Sequence, residues 1–391
     1  MTKKQMLPML MLMVVFSPLA IDIFLPALPL MAKDLGASLV DMQLSITVFL
    51  FSMGLGQLFT GPLTDRYGRK PIALVGIVLY ILASLACVYA DGLISHLASR
   101  LIQGFGTCAI VVSAFAIVRD KYNALESGAM YSYLNGVICC IPALAPLLGG
   151  WLTEQFGWHS NFQFMAIYGV LAGLLIISFL KESHPGDSSV EIAKIPFKIY
   201  LSIVRTPQFL FHSALVMISM AVIIAYVTSS PSWLMVKLGL SSDEFIFWFS
   251  LNALFNITAC IVAPKLLQRY GASILISSGL VILIFAGALM LALQYEASAI
   301  NFMLPIIFSS IGFSLLMGTC AGQALEPFAT RAGTASALLG FMQMSGSALI
   351  VGLIQLLPIS EVLQISILML MVIPFYLLWK NHAFKASVLV K

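Results

Sequence analysis

Runs of about twenty apolar residues recur along this chain with only short breaks, and no other feature constrains its fold as tightly. A hydrocarbon layer about 30 Å thick is crossed by roughly 20 helical residues, and a spanning segment must satisfy its own backbone polar groups. The runs fall at 6–31, 42–62, 72–90, 93–118, 129–152 and 162–180, and again at 209–233, 245–263, 274–293, 300–323, 335–357 and 362–379. They predict an all-α membrane protein of twelve transmembrane helices. With 60% of residues hydrophobic and 9% charged, the chain is excluded from the water-soluble classes. Its 391 residues leave no room for a sizeable domain outside the lipid, which favours transport over soluble chemistry.

Threading the runs alternately through a bilayer segregates the basic residues. Seventeen of the twenty lysines and arginines fall on one side, only Lys33 and Lys237 on the other, and Arg100 lies inside a span. Positive charge collects in cytoplasmic loops, so both termini are expected in the cytoplasm of a multi-pass protein. The net charge of +4 then describes loops beside anionic lipid and implies no nucleic acid partner. Lys3 and Lys4 before an apolar run resemble a signal peptide, but no small-residue cleavage site follows Asp22, and a retained first helix is expected. All six cysteines lie within predicted spans without metal-ligand spacing, so neither disulfides nor a metal site are expected.

The one long polar stretch divides the chain into a bundle of six helices over 1–183, a cytoplasmic linker over 184–207 and a second bundle over 208–391. Within the linker, residues 192–204 read either as a short amphipathic helix on the inner leaflet or as a flexible tether. Arg66-Tyr67-Gly68 recurs as Arg269-Tyr270-Gly271, an offset of 203 residues that also carries Met6 onto Phe209. A duplicated half would produce this pattern.

The loop after the second span reads Gly61-Pro62-Leu63-Thr64-Asp65-Arg66-Tyr67-Gly68-Arg69-Lys70. Glycines permit a tight connection, Asp65 can meet a helix N-terminus or a basic partner, and Arg66, Arg69 and Lys70 suit an anionic surface. The loop resembles the signature of the major facilitator superfamily, in which it acts as a conformational latch between halves. That resemblance makes Gly61, Asp65, Arg66, Gly68, Arg69 and Lys70 latch residues; a plain topology loop would account for the basic residues but not for Asp65 or the glycines.

The fourth span holds Arg100-Leu101-Ile102-Gln103-Gly104-Phe105-Gly106, which resembles a motif of proton-coupled members of the same superfamily. Arg100 and Gln103 share a helical face, and Gly104 and Gly106 let a neighbouring helix approach closely. An arginine at membrane depth faces the protein interior or water and is a functional candidate, unless it snorkels to the outer surface. Asp22 is the single acidic residue deep in any predicted span. By helical rise it sits about 22 Å and Arg100 about 27 Å from the cytoplasmic ends of their helices, so the two lie at similar depth. Burial and a nearby guanidinium act on a carboxyl's charge in opposite senses. Access to water can therefore switch Asp22 between loaded and unloaded states. Asp22 and Arg100 are accordingly the expected proton-coupling residues; the other reading is a fixed ion pair that joins two helices.

The fifth span carries Asn135, Gly136, Pro142, Ala145, Pro146, Gly149 and Gly150. Prolines bend a helix and glycines allow close packing at a gate. The pattern looks like the antiporter motif of exporters in that superfamily, with Ala145 where glycine usually precedes the proline. Over nearly the whole chain, through Phe115 to Asp120, Leu134-Asn135-Gly136 and Gln323 to Phe328, the sequence resembles the Bcr/CflA drug-resistance branch and the MdtL-like group within it. The resemblance implies proton-coupled antiport of small lipophilic compounds such as antibiotics across the bacterial inner membrane. It calls for no cofactor beyond the proton gradient, with small-molecule substrate, protons and lipid as partners and a monomer as the acting unit. Some multidrug relatives have a second carboxylate where this chain has Val14, which argues against exchange of divalent cationic drugs. Among the few polar residues in the spans, Gln43, Gln57, Asn135, Asn252, Asn256, Gln323 and Gln343, only Asn135 is taken forward as a substrate contact; the rest suit interhelical hydrogen bonds equally. A dedicated exporter of a metabolite or siderophore fits the same residues. A membrane-embedded enzyme fits them poorly, because the five histidines lie towards loops and span ends.

Overall fold

A computed structural model describes residues 3–122, 124–183 and 197–381, together with 384 and 388. It divides into two compact units, Met1–Ile195 and Pro196–Lys391. The described residues are almost entirely helical.

In the first unit the helices are α1 (Lys3–Asp22), α2 (Leu28–Asp34), α3 (Leu39–Tyr67), α4 (Arg69–Val88), α5 (Leu93–Lys121), α6 (Ala124–Phe156) and α7 (His159–Phe179). The first apolar run is not one rod. It breaks after Asp22 and resumes through a 3-10 turn at Leu25–Ala27 before α2. Pro26 and Pro29 supply the reason, since neither can donate to the helical ladder behind it. The α5 helix packs against α3, α4 and α1, while α1 also packs on α6 and α4 on α7. The α4 and α5 backbones meet at Gly76 and Gly106, where an added Cβ would stand 2.6 Å and 2.7 Å from the other glycine's carbonyl oxygen. Close backbone approach at small residues is how helices associate in lipid, where the hydrophobic effect does not press them together.

In the second unit the helices are α8 (Phe197–Val204), α9 (Pro207–Pro231), α10 (Ser242–Leu293), α11 (Ala299–Leu325), α12 (Ala332–Phe341), α13 (Ser347–Gln355), α14 (Glu361–Leu370) and α15 (Ile373–Lys380). Single π turns at Ser232–Lys237 and Met342–Gly346 continue α9 and join α12 to α13. Part of the expected amphipathic stretch is the short helix α8, and its remainder, 192–196, lies outside the described residues.

Among the described residues, eleven helical stretches are long and apolar enough to cross a membrane. The count is reconciled with twelve by α10, whose 52 residues would extend roughly 78 Å at 1.5 Å per residue, far beyond one hydrocarbon thickness. It is broken at Gly271, where φ is 78° and ψ 165°. The same break separates α3 from α4 at Gly68, with φ 94° and ψ 158°. Both values fall in a backbone region that only glycine enters readily.

The two glycines are 203 residues apart, and the offset holds well beyond them. Ser38 caps α3 in a reciprocal box with Asp41, and Ser241 caps α10 in the same box with Glu244. Gly76 is matched by Gly279, which meets Gly312 of α11 as Gly76 meets Gly106. The Arg66 guanidinium lies 5.5 Å from the Tyr67 ring and that of Arg269 5.4 Å from the Tyr270 ring. Caps, breaks and contact glycines thus recur in register, as in halves of one duplicated fold.

Candidate functional site

The break after Asp22 sets the geometry of the first unit's interior. Asp22 is 3% exposed, and among the described residues its carboxylate has neither a hydrogen-bond nor an ion-pair partner. The Gly149 backbone of α6 abuts the Ile23 carbonyl so closely that a Cβ there would overlap the oxygen. Pro146, one turn earlier on α6, is buried, and Pro142 and Gly150 are half-buried.

Arg100 is fully buried, which removes the possibility that it snorkels outward. Its Nε donates to the Ser45 carbonyl at 3.2 Å, its Nη2 donates to the Ala20 carbonyl at 2.9 Å, and its Nη1 donates to Gln103 Oε1. The guanidinium also lies 4.4 Å from the Phe49 ring centre and 4.9 Å from that of Phe24, a contact that stabilises a desolvated cation by about 2 kcal/mol. Gln103 donates from Nε2 to Ser84 Oγ at 2.8 Å. Gly104 makes room for this cluster, because a Cβ there would collide with Ser52 Oγ and the Phe49 carbonyl.

Arg100 and Asp22 therefore do not form an ion pair within 4.0 Å. Each reaches the same end of α1 separately, Arg100 through the Ala20 carbonyl and Asp22 two residues further on. A buried cation satisfied by dipoles and ring faces thus bonds to the end of α1 two residues before a buried carboxyl that has no partner among the described residues. Groups of this kind are expensive to bury and respond strongly to water.

The loop residues assemble at the junction of α3 and α4. Arg69 is 3% exposed; its Nε donates to Asp120 Oδ2 at 3.0 Å, and its Nη1 donates to Thr64 Oγ1 at 2.9 Å and to Asp65 Oδ1. The backbone N–H groups of Arg69 and Lys70 both donate to the Glu182 carboxylate, at 3.0 Å and 2.9 Å. Lys70 Nζ donates to the Ile177 carbonyl at 2.8 Å. Glu182 thereby supplies α4 with an N-terminal anion from a point 113 residues along the chain, and Asp120 with Ser183 completes the cluster. The Gly61 carbonyl accepts from Thr64 Oγ1 at 2.7 Å, and a Cβ on Gly61 would stand in open space.

Asn135 and Gly136 lie on the exposed face of α6, with open space around Gly136. Two other polar residues proved to bridge helices. Ser310 donates to Asn252 Oδ1 at 2.9 Å, and Asn256 Nδ2 donates to Ser314 Oγ at 3.4 Å, both across α10 and α11. Glu182 and Ser45 escaped the reading of the sequence, which took His96 only as one of five histidines towards loops and span ends. His96 stands in the first turn of α5, as a residue near a span end should, yet it is completely buried.

A family model described as Major Facilitator Superfamily matches residues 10–351 of this chain. The chain belongs to that superfamily. Curated relatives of this superfamily protein include the multidrug resistance protein MdtL of Klebsiella pneumoniae (strain 342), 34% identical over 89% of this chain and 88% of its own length. The MdtL protein of Escherichia coli O81 (strain ED1a) is 35% identical over 86% of this chain and 85% of its own. Among solved structures, the xylose transporter XylE from E. coli has the same fold, with a TM-score of 0.78 over 98% of both chains at 13% identity. The superfamily protein is thus a multi-pass membrane transporter of small molecules and not an enzyme.

Proposed function

We propose that this transporter exports small lipophilic compounds, antibiotics among them, across the bacterial inner membrane in exchange for protons, with both termini in the cytoplasm. The observation that carries the coupling is the Asp22 carboxyl, only 3% exposed at the break of α1, without a partner among the described residues, and reached from the other side of that turn by the Arg100 cluster. A carboxyl so placed changes energy by several kcal/mol between its charged and neutral forms when water comes and goes, which is the property a proton carrier needs. Arg100 takes the part of a fixed positive charge that senses the state of Asp22 through the α1 backbone.

Export is supported by the printed names of the MdtL relatives and by the proline and glycine pattern of α6, whose Gly149 presses on the turn after Asp22. The Arg69 cluster ties the end of α3, the start of α4, the end of α5 and the residues after α7 together within the first unit, and the latch assignment rests on the resemblance of this loop to the superfamily signature. Lipid and protons are the remaining partners, and the proton gradient replaces any cofactor.

The test is accumulation by cells deleted for their major efflux pumps and expressing this chain, using neutral and singly charged antibiotics and dyes beside native metabolites. The reading requires lowered accumulation of at least one lipophilic drug, abolished by a protonophore. Export confined to a native metabolite would replace the drug assignment with a dedicated exporter, and no protonophore effect would remove the coupling.

A further inference from the structure

The Asp22 and Arg100 assignment leaves one buried titratable side chain unused. His96 is 0% exposed and sits one helical turn before Arg100 on the same face of α5. Its Nε2 is 2.9 Å from Ser45 Oγ, and its Nδ1 has no partner. Ser45 is also the residue whose carbonyl receives Arg100 Nε. His96 and Arg100 therefore meet on one residue, His96 at the Ser45 hydroxyl and Arg100 at the Ser45 main-chain carbonyl, and Arg100 bonds onward to Ala20 on α1, two residues before Asp22.

The ring is closed off by aromatic groups. Phe162 of α7 meets it edge-on at 5.5 Å, Phe24 lies 5.4 Å from Phe162, and Trp158 packs 6.0 Å from Phe162 while its Nε1 donates to Asp34 at 2.8 Å. The surrounding elements carry Asp22 of α1, Lys33 and Asp34 of α2, Asp41 of α3, Tyr80 and Cys87 of α4, Asp91 before α5, Arg100 of α5 and His159 of α7, the last stacked on Trp158.

We propose that His96 is a second proton-exchanging residue of this transporter, acting on Arg100 through Ser45 and so setting the pH at which the Asp22 step operates. Imidazole is the side chain whose charge ordinarily changes near neutral pH. In the tautomer that carries its proton on Nε2 and donates it to Ser45 Oγ, the unpartnered Nδ1 accepts a proton without breaking that hydrogen bond. One N–H bond forms there at the expense of one in water, and nothing else changes covalently. Like charges repel strongly in a patch without water, so a proton on His96 and the Arg100 guanidinium are held together only if water or the Asp22 carboxylate balances them. Proton occupancy at the two residues is thereby coupled. The inference rests on the proton-coupled reading above.

The experiment is the pH profile of proton-driven drug uptake into proteoliposomes for wild type, Asp22→Asn, His96→Gln and His96→Ala, with thermal unfolding recorded for each. Glutamine keeps a hydrogen bond to Ser45 but cannot titrate. A purely structural His96 predicts that His96→Gln restores the wild-type profile. Our proposal predicts that Gln restores stability relative to Ala while the profile's midpoint moves by about one pH unit or more and becomes shallower. A wild-type profile in His96→Gln, beside an Asp22→Asn protein that has lost its response to the gradient, overturns the His96 proposal and leaves the Asp22 reading intact. An Asp22→Asn protein that still responds overturns the parent reading instead. Exchange of the histidine ring C2–H followed by mass spectrometry on the unmodified transporter decides the matter even if the variants do not fold. The His96 rate must change with pH at least twofold between about pH 5 and 9, and a flat rate ends the proposal.

Discussion

Gly149 of α6 and Ile23, the residue that follows Asp22, touch backbone to backbone: a methyl group on residue 149 would occupy the space of the Ile23 carbonyl oxygen. The turn that buries Asp22 is therefore shaped from outside α1 by a helix whose sequence is rich in proline and glycine. Overpacking of this kind costs about 1–3 kcal/mol. Gly149→Ala is expected to lower the thermal midpoint and to reduce transport at least tenfold. Gly136, on the same helix, where an added Cβ would meet no other group within 4 Å, is the comparison: Gly136→Ala should be neutral or stabilising by up to about 1 kcal/mol. Unfolding of both variants in detergent, beside transport assays, checks the pair.

Arg100 spends its donors on two main-chain carbonyls and one amide, and its face on two rings. A lysine has the charge but not the planar fork that spans these acceptors. Arg100→Lys is expected to fold and to lose more than nine-tenths of transport. Arg100→Ala should in addition lose about 2–4 kcal/mol of stability, because the Ala20 carbonyl and Gln103 Oε1 lose their buried donor. Initial rates and denaturation midpoints for the two variants separate these effects.

Glu182 holds the first two N–H groups of α4. Loss of a helix cap costs about 0.5–2 kcal/mol, so Glu182→Ala should destabilise the protein by that amount. Glu182→Gln, which keeps one acceptor, should lose less. Local hydrogen exchange at Arg69 and Lys70 should rise in the alanine variant while exchange in the middle of α4 stays unchanged.

Gly68 and Gly271 occupy the same glycine-only backbone region in corresponding breaks of the two units. An L side chain there costs about 1–3 kcal/mol. Gly68→Ala and Gly271→Ala are expected to destabilise to a similar degree, and Gly157→Ala, at a turn outside the repeat with φ 79°, should do the same without touching either break. Parallel unfolding curves test the equivalence.

Helix number and the duplication were legible because both are written in local patterns. Lipid demands unbroken apolar runs, and Gly271 announced itself by the Arg-Tyr-Gly triplet it shares with Gly68. Arg100 with Gln103 was legible for the same reason, as neighbours one turn apart on a helix. What Arg100 bonds to was not, since main-chain carbonyls at Ser45 and Ala20 have no residue signature and are brought there by packing. Glu182 was missed, and His96 read only by its place near a span end, for a related reason. Each is a single residue whose partners lie 113 and 51 positions away, and nothing in its own neighbourhood points to them. The break after Asp22 lay between the two, because Pro26 and Pro29 mark a disturbance while the exact turn depends on Gly149.

The central claim is that the Asp22 carboxyl carries the proton, and transport of a singly charged or neutral lipophilic drug into proteoliposomes under an imposed pH gradient tests it most directly. Wild type should accumulate the drug above equilibrium and move protons the other way, read by a pH dye in the lumen. Asp22→Asn should bind the drug and exchange it downhill, yet neither accumulate it nor move protons. Uphill accumulation by a folded Asp22→Asn protein, with proton movement intact, would contradict the account.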